Sequence, residues 1–163
     1  MTSSLTPATP LQPRKRAIIV GACGGLGTAL SRKLAREGWT LALLSRRVDC
    51  PAELAAELNT DGVTRAIPYE HDVTNYDEVP SLLKRVIADL GGVDLFLFNA
   101  GINLPPGMEK MNAADDIKMI EVNLLGAIAW LAPVGDLMKD AKSGMIVGIS
   151  SVAGDRGRIA NPG

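Results

Sequence analysis

Ala17-Ile18-Ile19-Val20-Gly21-Ala22-Cys23-Gly24-Gly25-Leu26-Gly27-Thr28-Ala29-Leu30 decides the fold of this 163-residue chain. A β-branched apolar run enters a cluster of glycines, and a helical pattern follows at once. The first amides of a helix have no intrahelical partner and carry partial positive charge. Glycines remove the Cβ atoms that would keep an anion away, and they permit positive φ in the turn. A strand, a Gly turn and a helix start in this order predict a phosphate cradle built on Gly21, Gly25 and Gly27, with Cys23, Gly24 and Leu26 in the same loop. The spacing is G-x3-G-x-G, which differs from the common G-x-G-x-x-G fingerprint. An ordinary Gly-rich turn is the alternative reading of this corner.

Working outward, strands and helices alternate. The pattern predicts strands at about 16–20, 41–44, 64–70, 94–98 and 145–149. Between them it predicts helices over about 25–37, from Pro51 onward, over 76–90 with Pro80 near the start, and over 113–138. Asn112 is a candidate cap for the last of these, and Pro133 a candidate kink. Near-continuous apolar strands separated by helices imply a parallel sheet covered on both faces. Right-handed crossovers then give an α/β, doubly wound, Rossmann-like sheet in the order 3-2-1-4-5. Ligands of such sheets sit beyond the carboxyl ends of the strands.

The composition fits one domain over residues 15–163. Hydrophobic residues make up 47% and the net charge is −1, so no nucleic-acid footprint is expected. Arg14-Lys15-Arg16 reads as a solvated strand entry. Met1 to Pro13 is rich in Ser, Thr and Pro, so residues 1–14 read as a flexible tail rather than a signal peptide. No run of 18 apolar residues is evident, and no membrane span is expected. Cys23 and Cys50 suggest neither a disulfide framework nor a metal site; both read as reduced thiols of a cytoplasmic protein. The single His71 reads as structural, and no metal is expected.

The strand ends carry the remaining candidates. Arg46 stands 19 residues after Gly27, where many dinucleotide folds place an acidic residue on the ribose 2′-hydroxyl. A guanidinium there, with Arg47 beside it, would grip a 2′-phosphate. Asp49 remains a competing acidic candidate, and an exposed pair of arginines is the bland alternative. Asp72, followed by Val73, could accept from an adenine amino group or merely cap a turn. Asn99-Ala100-Gly101 is a small-residue turn over which a cofactor could pass, and Asn99 could pin neighbouring backbone. Asn123 reads as a buried amide among apolar neighbours, either satisfying the core or serving catalysis. Ser150-Ser151 ends the fifth strand, where a hydroxyl could meet a carbonyl.

Taken together, Gly21-Ala-Cys-Gly-Gly25-Leu-Gly27, Asp72-Val73, Asn99-Ala100-Gly101, Val122-Asn123-Leu-Leu-Gly126 and Ile149-Ser150-Ser151-Val-Ala-Gly154 resemble the short-chain dehydrogenase/reductase family, in order, over about residues 15–163. The resemblance implies an oxidoreductase that moves hydride between a nicotinamide cofactor and a carbonyl or alcohol. NADP(H) is preferred on account of Arg46, and NAD(H) is allowed. It implies cofactor contacts at the three glycines, Asp72, Val73, Asn99, Ala100 and Gly101. Ser151 would be the catalytic serine and Asn123 the relay asparagine. Val20 and Phe98 replace a Thr and an Asn frequent in the family. The family's Tyr-x3-Lys and its last strands and helices would fall beyond Gly163, so the 163-residue chain is expected to be inactive alone and prone to association. A homo-oligomer is implied for the full-length parent. The apolar loop Ile102–Met108 points to an uncharged substrate. A nucleotide-binding module without catalysis is the alternative function.

Overall fold

The computed structural model describes residues 15–59, 65–104 and 112–152. The expected tail, residues 1–14, lies outside them. The elements run β1 (Arg16–Val20), α1 (Gly25–Arg36), β2 (Thr40–Ser45), α2 (Asp49–Leu58), β3 (Ala66–Glu70), a 3-10 turn (Tyr76–Glu78), α3 (Val79–Leu90), β4 (Leu95–Phe98), α4 (Ala113–Ile120), a π-helical segment (Glu121–Leu125), α5 (Gly126–Ala141) and β5 (Met145–Gly148). The five strands form one sheet in the order β3-β2-β1-β4-β5. All four pairings are parallel, with Val20 opposite Leu44 on one side and Phe98 on the other.

The two-residue period of a strand sorts each apolar run between two cores. Ile18, Val20, Ala42, Leu44, Phe96 and Phe98 face the layer of α3 and α5, where Leu82, Val86, Trp130 and Val134 meet them. Ala17, Ile19, Leu41, Leu43, Leu95 and Leu97 face the opposite layer, with Ala35 of α1 and Leu54 and Ala55 of α2. A strand apolar on both sides therefore needs helices on both sides, and the right-handed crossovers supply them.

The last helical run is not one regular helix. Its irregularity falls at Glu121–Leu125, where the chain widens to a π-turn closed by the Gly126 N–H on the Glu121 carbonyl. Pro133, the expected kink, lies within the continuous α5. By length and mean hydropathy the run Ala113–Ala141 would pass for a membrane span, although Glu121 and Asp136 interrupt it and it holds no 18 consecutive apolar residues. In this fold it covers the sheet instead. Val122, Gly126, Trp130, Val134 and Met138 recur every fourth residue and form its buried stripe. Its other side exposes Ile117, Ile120, Leu124, Leu125 and Ile128.

Two further expectations change. Arg16 is no solvated entry residue. Its guanidinium grips Asp94 through Nε–Oδ2 at 2.8 Å and Nη2–Oδ1 at 2.9 Å, and donates to the Gly91 carbonyl as well. Cys23 and Cys50, expected as free thiols, form a disulfide with Cα atoms 6.0 Å apart. Their separation of 27 residues conceals this closeness. Because β1 and β2 are parallel neighbours, the loops that follow them leave the sheet side by side.

Candidate dinucleotide-binding site

A parallel sheet delivers every strand's carboxyl end to one edge, so the loops after β1, β2, β3 and β4 converge there. The first loop is fixed by backbone. The Gly21 and Ala22 N–H groups both donate to the Leu44 carbonyl, at 2.9 and 3.1 Å. The Asn99 side chain donates from Nδ2 to the Gly21 carbonyl at 2.9 Å, while its own N–H donates to the Val20 carbonyl.

The glycines divide into two kinds. Gly21 has φ +86°, and a Cβ there would stand 2.5 Å from the Ala100 nitrogen. A Cβ on Gly27 would run into the Gly21 carbonyl oxygen and lie 3.0 Å from Ala22. These two are required by the protein's own packing. A Cβ on Gly24 would find only Asn99 Nδ2 at 3.8 Å and the Gly21 oxygen at 4.0 Å, and one on Gly25 would meet nothing within 4 Å. Gly24 caps α1 without a side-chain hydrogen bond, and the first turn holds no acidic residue. The positive end of α1 is thus open in front of two glycines with room before them.

The structure gathers Val20, Gly21, Gly24, Ser45, Arg46, His71, Asp72, Val73, Asn99, Ala100, Gly101, Ile102 and Val122 around one cleft. Of the residues the sequence singled out, Gly21, Gly24, Arg46, Asp72, Val73, Asn99, Ala100 and Gly101 line it. Cys23, Gly25, Leu26, Gly27, Arg47, Asn123 and Ser151 do not. Leu26 points to solvent, and Ser151 stands exposed just past β5. Ser45 and Val122 were not singled out as cofactor contacts, being an ordinary strand-end and an ordinary helix residue, and Ile102, read as part of a substrate loop, lines the same cleft.

Asp72 accepts on one oxygen, Oδ1, from the Thr74 N–H at 3.0 Å and the Thr74 hydroxyl at 2.8 Å. Partial burial is the largest single influence on its carboxyl and pushes it up. The two Thr74 hydrogen bonds, with the charges of Lys118 and Arg46, together outweigh that and hold it below the ordinary carboxylate range. It is therefore an anionic acceptor in the cleft. Arg46 and Arg47 make no hydrogen bond or ion pair among the described residues; Arg46 lines the cleft and interacts with Asp72 only through the attraction of their charges.

His71, beside Asp72, has both ring nitrogens engaged. The Trp130 indole N–H donates to Nε2 at 3.1 Å, and Nδ1 lies 3.0 Å from Glu78 Oε2. An acceptor at Nε2 places the proton on Nδ1, pointing at the carboxylate. The ring ties the β3 loop to α5 and serves structure. Gly126 completes that seam, because a Cβ there would lie 3.0 Å from the Val73 side chain.

Asn123 overturns one expectation. It is exposed, as are Leu124 and Leu125, whereas Val122 of the same π-turn is buried. It does not satisfy the core. Its amide instead grips the Ile102 backbone at both ends, with Nδ2 donating to the carbonyl and Oδ1 accepting from the N–H, each at 2.8 Å. Asn123 thus fixes the loop after β4 at the side of the cleft.

A profile of the short chain dehydrogenase family matches residues 15–163. An uncharacterized oxidoreductase of Mycobacterium tuberculosis is 34% identical over 146 residues, covering 88% of this chain and 57% of the relative. A xylitol dehydrogenase structure with bound NAD+ superposes with a TM-score of 0.84 at 30% identity, covering 91% of this chain and 56% of that one. An alcohol dehydrogenase from the archaeon Thermococcus sibiricus, in complex with 5-hydroxy-NADP, gives 0.84 at 32% identity, covering 91% of this chain and 63% of that one. The chain spans little more than half the length of such relatives.

Proposed function

We propose a function from one premise: the chain belongs to the short-chain dehydrogenase/reductase family of oxidoreductases. It is the nucleotide-binding portion of an NADP(H)-dependent enzyme acting on a carbonyl or alcohol. The observation that carries this reading is the open amino end of α1 behind Gly24 and Gly25. A diphosphate fits there, since the amides and the helix dipole favour an anion and no side chain stands in its way.

The rest of the cleft fits the same ligand. The β4 turn Ala100–Gly101 offers a small-residue floor. Asp72 presents an anionic acceptor suited to an exocyclic amine. Arg46 supplies a cation at the cleft and Arg47 a second beside it, which favours a 2′-phosphate over a bare ribose. The nicotinamide cofactor supplies hydride chemistry when bound. Ser151 would donate a hydrogen bond to the carbonyl oxygen of the substrate, and Asn123 would act through the Ile102 loop it holds. An uncharged substrate agrees with the apolar residues Ile102 and Leu104.

Titrating the chain with NADPH and with NADH, followed by nucleotide fluorescence, tests this. Both should bind, NADPH more tightly. Arg46→Ala should weaken NADPH roughly tenfold to a hundredfold, as loss of a charge-assisted contact does, and leave NADH nearly unchanged. Equal losses for both nucleotides would remove the assignment of Arg46 to the 2′-phosphate. No binding of either would remove the reading.

A further inference from the structure

We propose that Cys23 and Cys50 form a reversible redox site that sets how tightly the chain holds a 2′-phosphorylated nucleotide; this rests on the nucleotide-binding reading above. Three observations on the page meet here. The disulfide joins the loop between β1 and α1 to the first turn of α2. Between Ser45, the last residue of β2, and Cys50 lie only Arg46, Arg47, Val48 and Asp49, so the bond closes a short basic turn onto the glycine loop. Nothing else ties that turn to the glycine loop by a side-chain hydrogen bond or ion pair among the described residues. The cap of α2 is Val48, which makes no side-chain hydrogen bond, and neither arginine makes a hydrogen bond or ion pair among the described residues.

The consequence is mechanical. With the bond formed, the turn is anchored at Ser45 by the sheet and at Cys50 by sulfur, and Arg46 lines the cleft beside Gly24. With the bond open, the turn keeps its anchors in the sheet at Ser45 and in α2, whose Pro51, Leu54 and Ala55 are buried, but it loses its tie to the glycine loop, and setting the arginines against that loop falls to the ligand. Only a nucleotide that uses the arginines gains from that ordering. The redox state therefore acts on the 2′-phosphate and spares the diphosphate, whose loop is held by Leu44 and Asn99 in either state.

Both cysteines are partly exposed, so a small disulfide can reach them. A thiolate is the attacking form in thiol–disulfide exchange. With a disulfide oxidant such as oxidised glutathione, one cysteine thiolate attacks a glutathione sulfur and expels one glutathione thiolate. The other cysteine then attacks the mixed disulfide and expels the second. One Cys23–Cys50 bond forms, one glutathione disulfide breaks, and two protons end on two glutathione thiols.

The test uses the 163-residue chain, equilibrated with oxidised glutathione or with a phosphine reductant. Alkylation and peptide mass mapping should find Cys23 and Cys50 joined in the first sample and alkylated in the second. NADPH should bind roughly tenfold more weakly to the reduced chain, the loss expected when about one residue's worth of backbone order must be supplied on binding. NADH should change less than about twofold on the same scale. Cys50→Ser and Cys50→Ala should both give the reduced-state NADPH affinity whatever the redox buffer, with NADH binding reporting that the fold persists. Failure to find the cross-link overturns the proposal, and so does an NADPH affinity that is equal in the two states or tighter on reduction. Binding of both nucleotides without redox dependence sinks this inference alone, whereas no binding in either state sinks the nucleotide reading and this with it.

Discussion

The corner between β1 and α1 and the tip of β5 lie at the same edge of one sheet, yet the protein finishes them very differently. At the corner, the Gly21 and Ala22 amides share the Leu44 carbonyl, Asn99 holds the Gly21 carbonyl, and two glycines are packed so closely that a methyl group would collide. At β5, Ile146 is exposed, and beyond its tip so are Ile149 and Val152. A site that must present fixed amides to an anion is rigid by its own contacts. An apolar strand left open to solvent is a surface still to be covered. The helical run α4–α5 shows the same split within itself, with Trp130 fully buried against the sheet and Leu124 and Ile128 each 53% exposed.

The sharpest way to break this comparison is to tax the corner. Gly21→Ala must place a methyl at positive φ and 2.5 Å from the Ala100 nitrogen. We expect a loss of about 3 kcal/mol or more, from overpacking and backbone strain together. Gly25→Ala, with nothing within 4 Å, should change stability by only about 0.5 kcal/mol in either direction and still weaken nucleotide binding. Urea denaturation beside nucleotide titration separates the two. If Gly21→Ala proved neutral, the corner would not be the rigid element described here.

A smaller effect is expected where the corner's support passes into α5. Trp130→Phe keeps a ring near Phe96, whose centroid lies 5.7 Å away, and removes the N–H that His71 Nε2 accepts. His71 is 3% exposed, so its nitrogen loses a partner that water cannot readily replace. The cost should be about 2 kcal/mol by urea denaturation, within the range for an unsatisfied buried acceptor. A cost below the error of that measurement would show that the His71–Trp130 bond does not hold the β3 loop to the helix.

Much of this was legible in the residues, for identifiable reasons. Runs such as Ile18-Ile19-Val20 and Leu95–Phe98 are apolar on both faces, as a covered parallel strand requires, and alternation with helices then pointed to a doubly wound sheet. The strand-end residues followed because parallel strands share a carboxyl edge. Contacts made only by the assembled fold were not legible. The Cys23–Cys50 bond depends on β1 lying beside β2, which the spacing of 27 does not encode. Asn123 was misread as buried because Leu124, Leu125 and Ile128 are apolar, and apolarity predicts burial only where something covers the residue. The widened turn at Glu121–Leu125 left no signal comparable to Pro133, whose effect on a helix is written in its ring.

The smallest effect belongs to the opposite edge of the sheet, where Arg16 and Asp94 clamp the amino ends of β1 and β4. Hydrogen bonds from the Arg16 guanidinium hold the Asp94 carboxyl below its ordinary range, against the upward push of partial burial. A carboxyl whose folded value lies below its unfolded value stabilises the fold above the unfolded value, about 4. That contribution is lost as the pH falls through the folded value. Asp94→Asn should therefore cost about 1 kcal/mol or less at neutral pH, the lower part of the range because the Asp94 side chain is 31% exposed. It should also lose less stability than the parent chain as the pH is lowered below about 4, measured by urea denaturation at stepped pH. Parallel acid profiles for the two chains would mean that the amino-end clamp contributes nothing, leaving the hydrogen-bonded carboxyl-end loops and the two cores to hold β1 against β4.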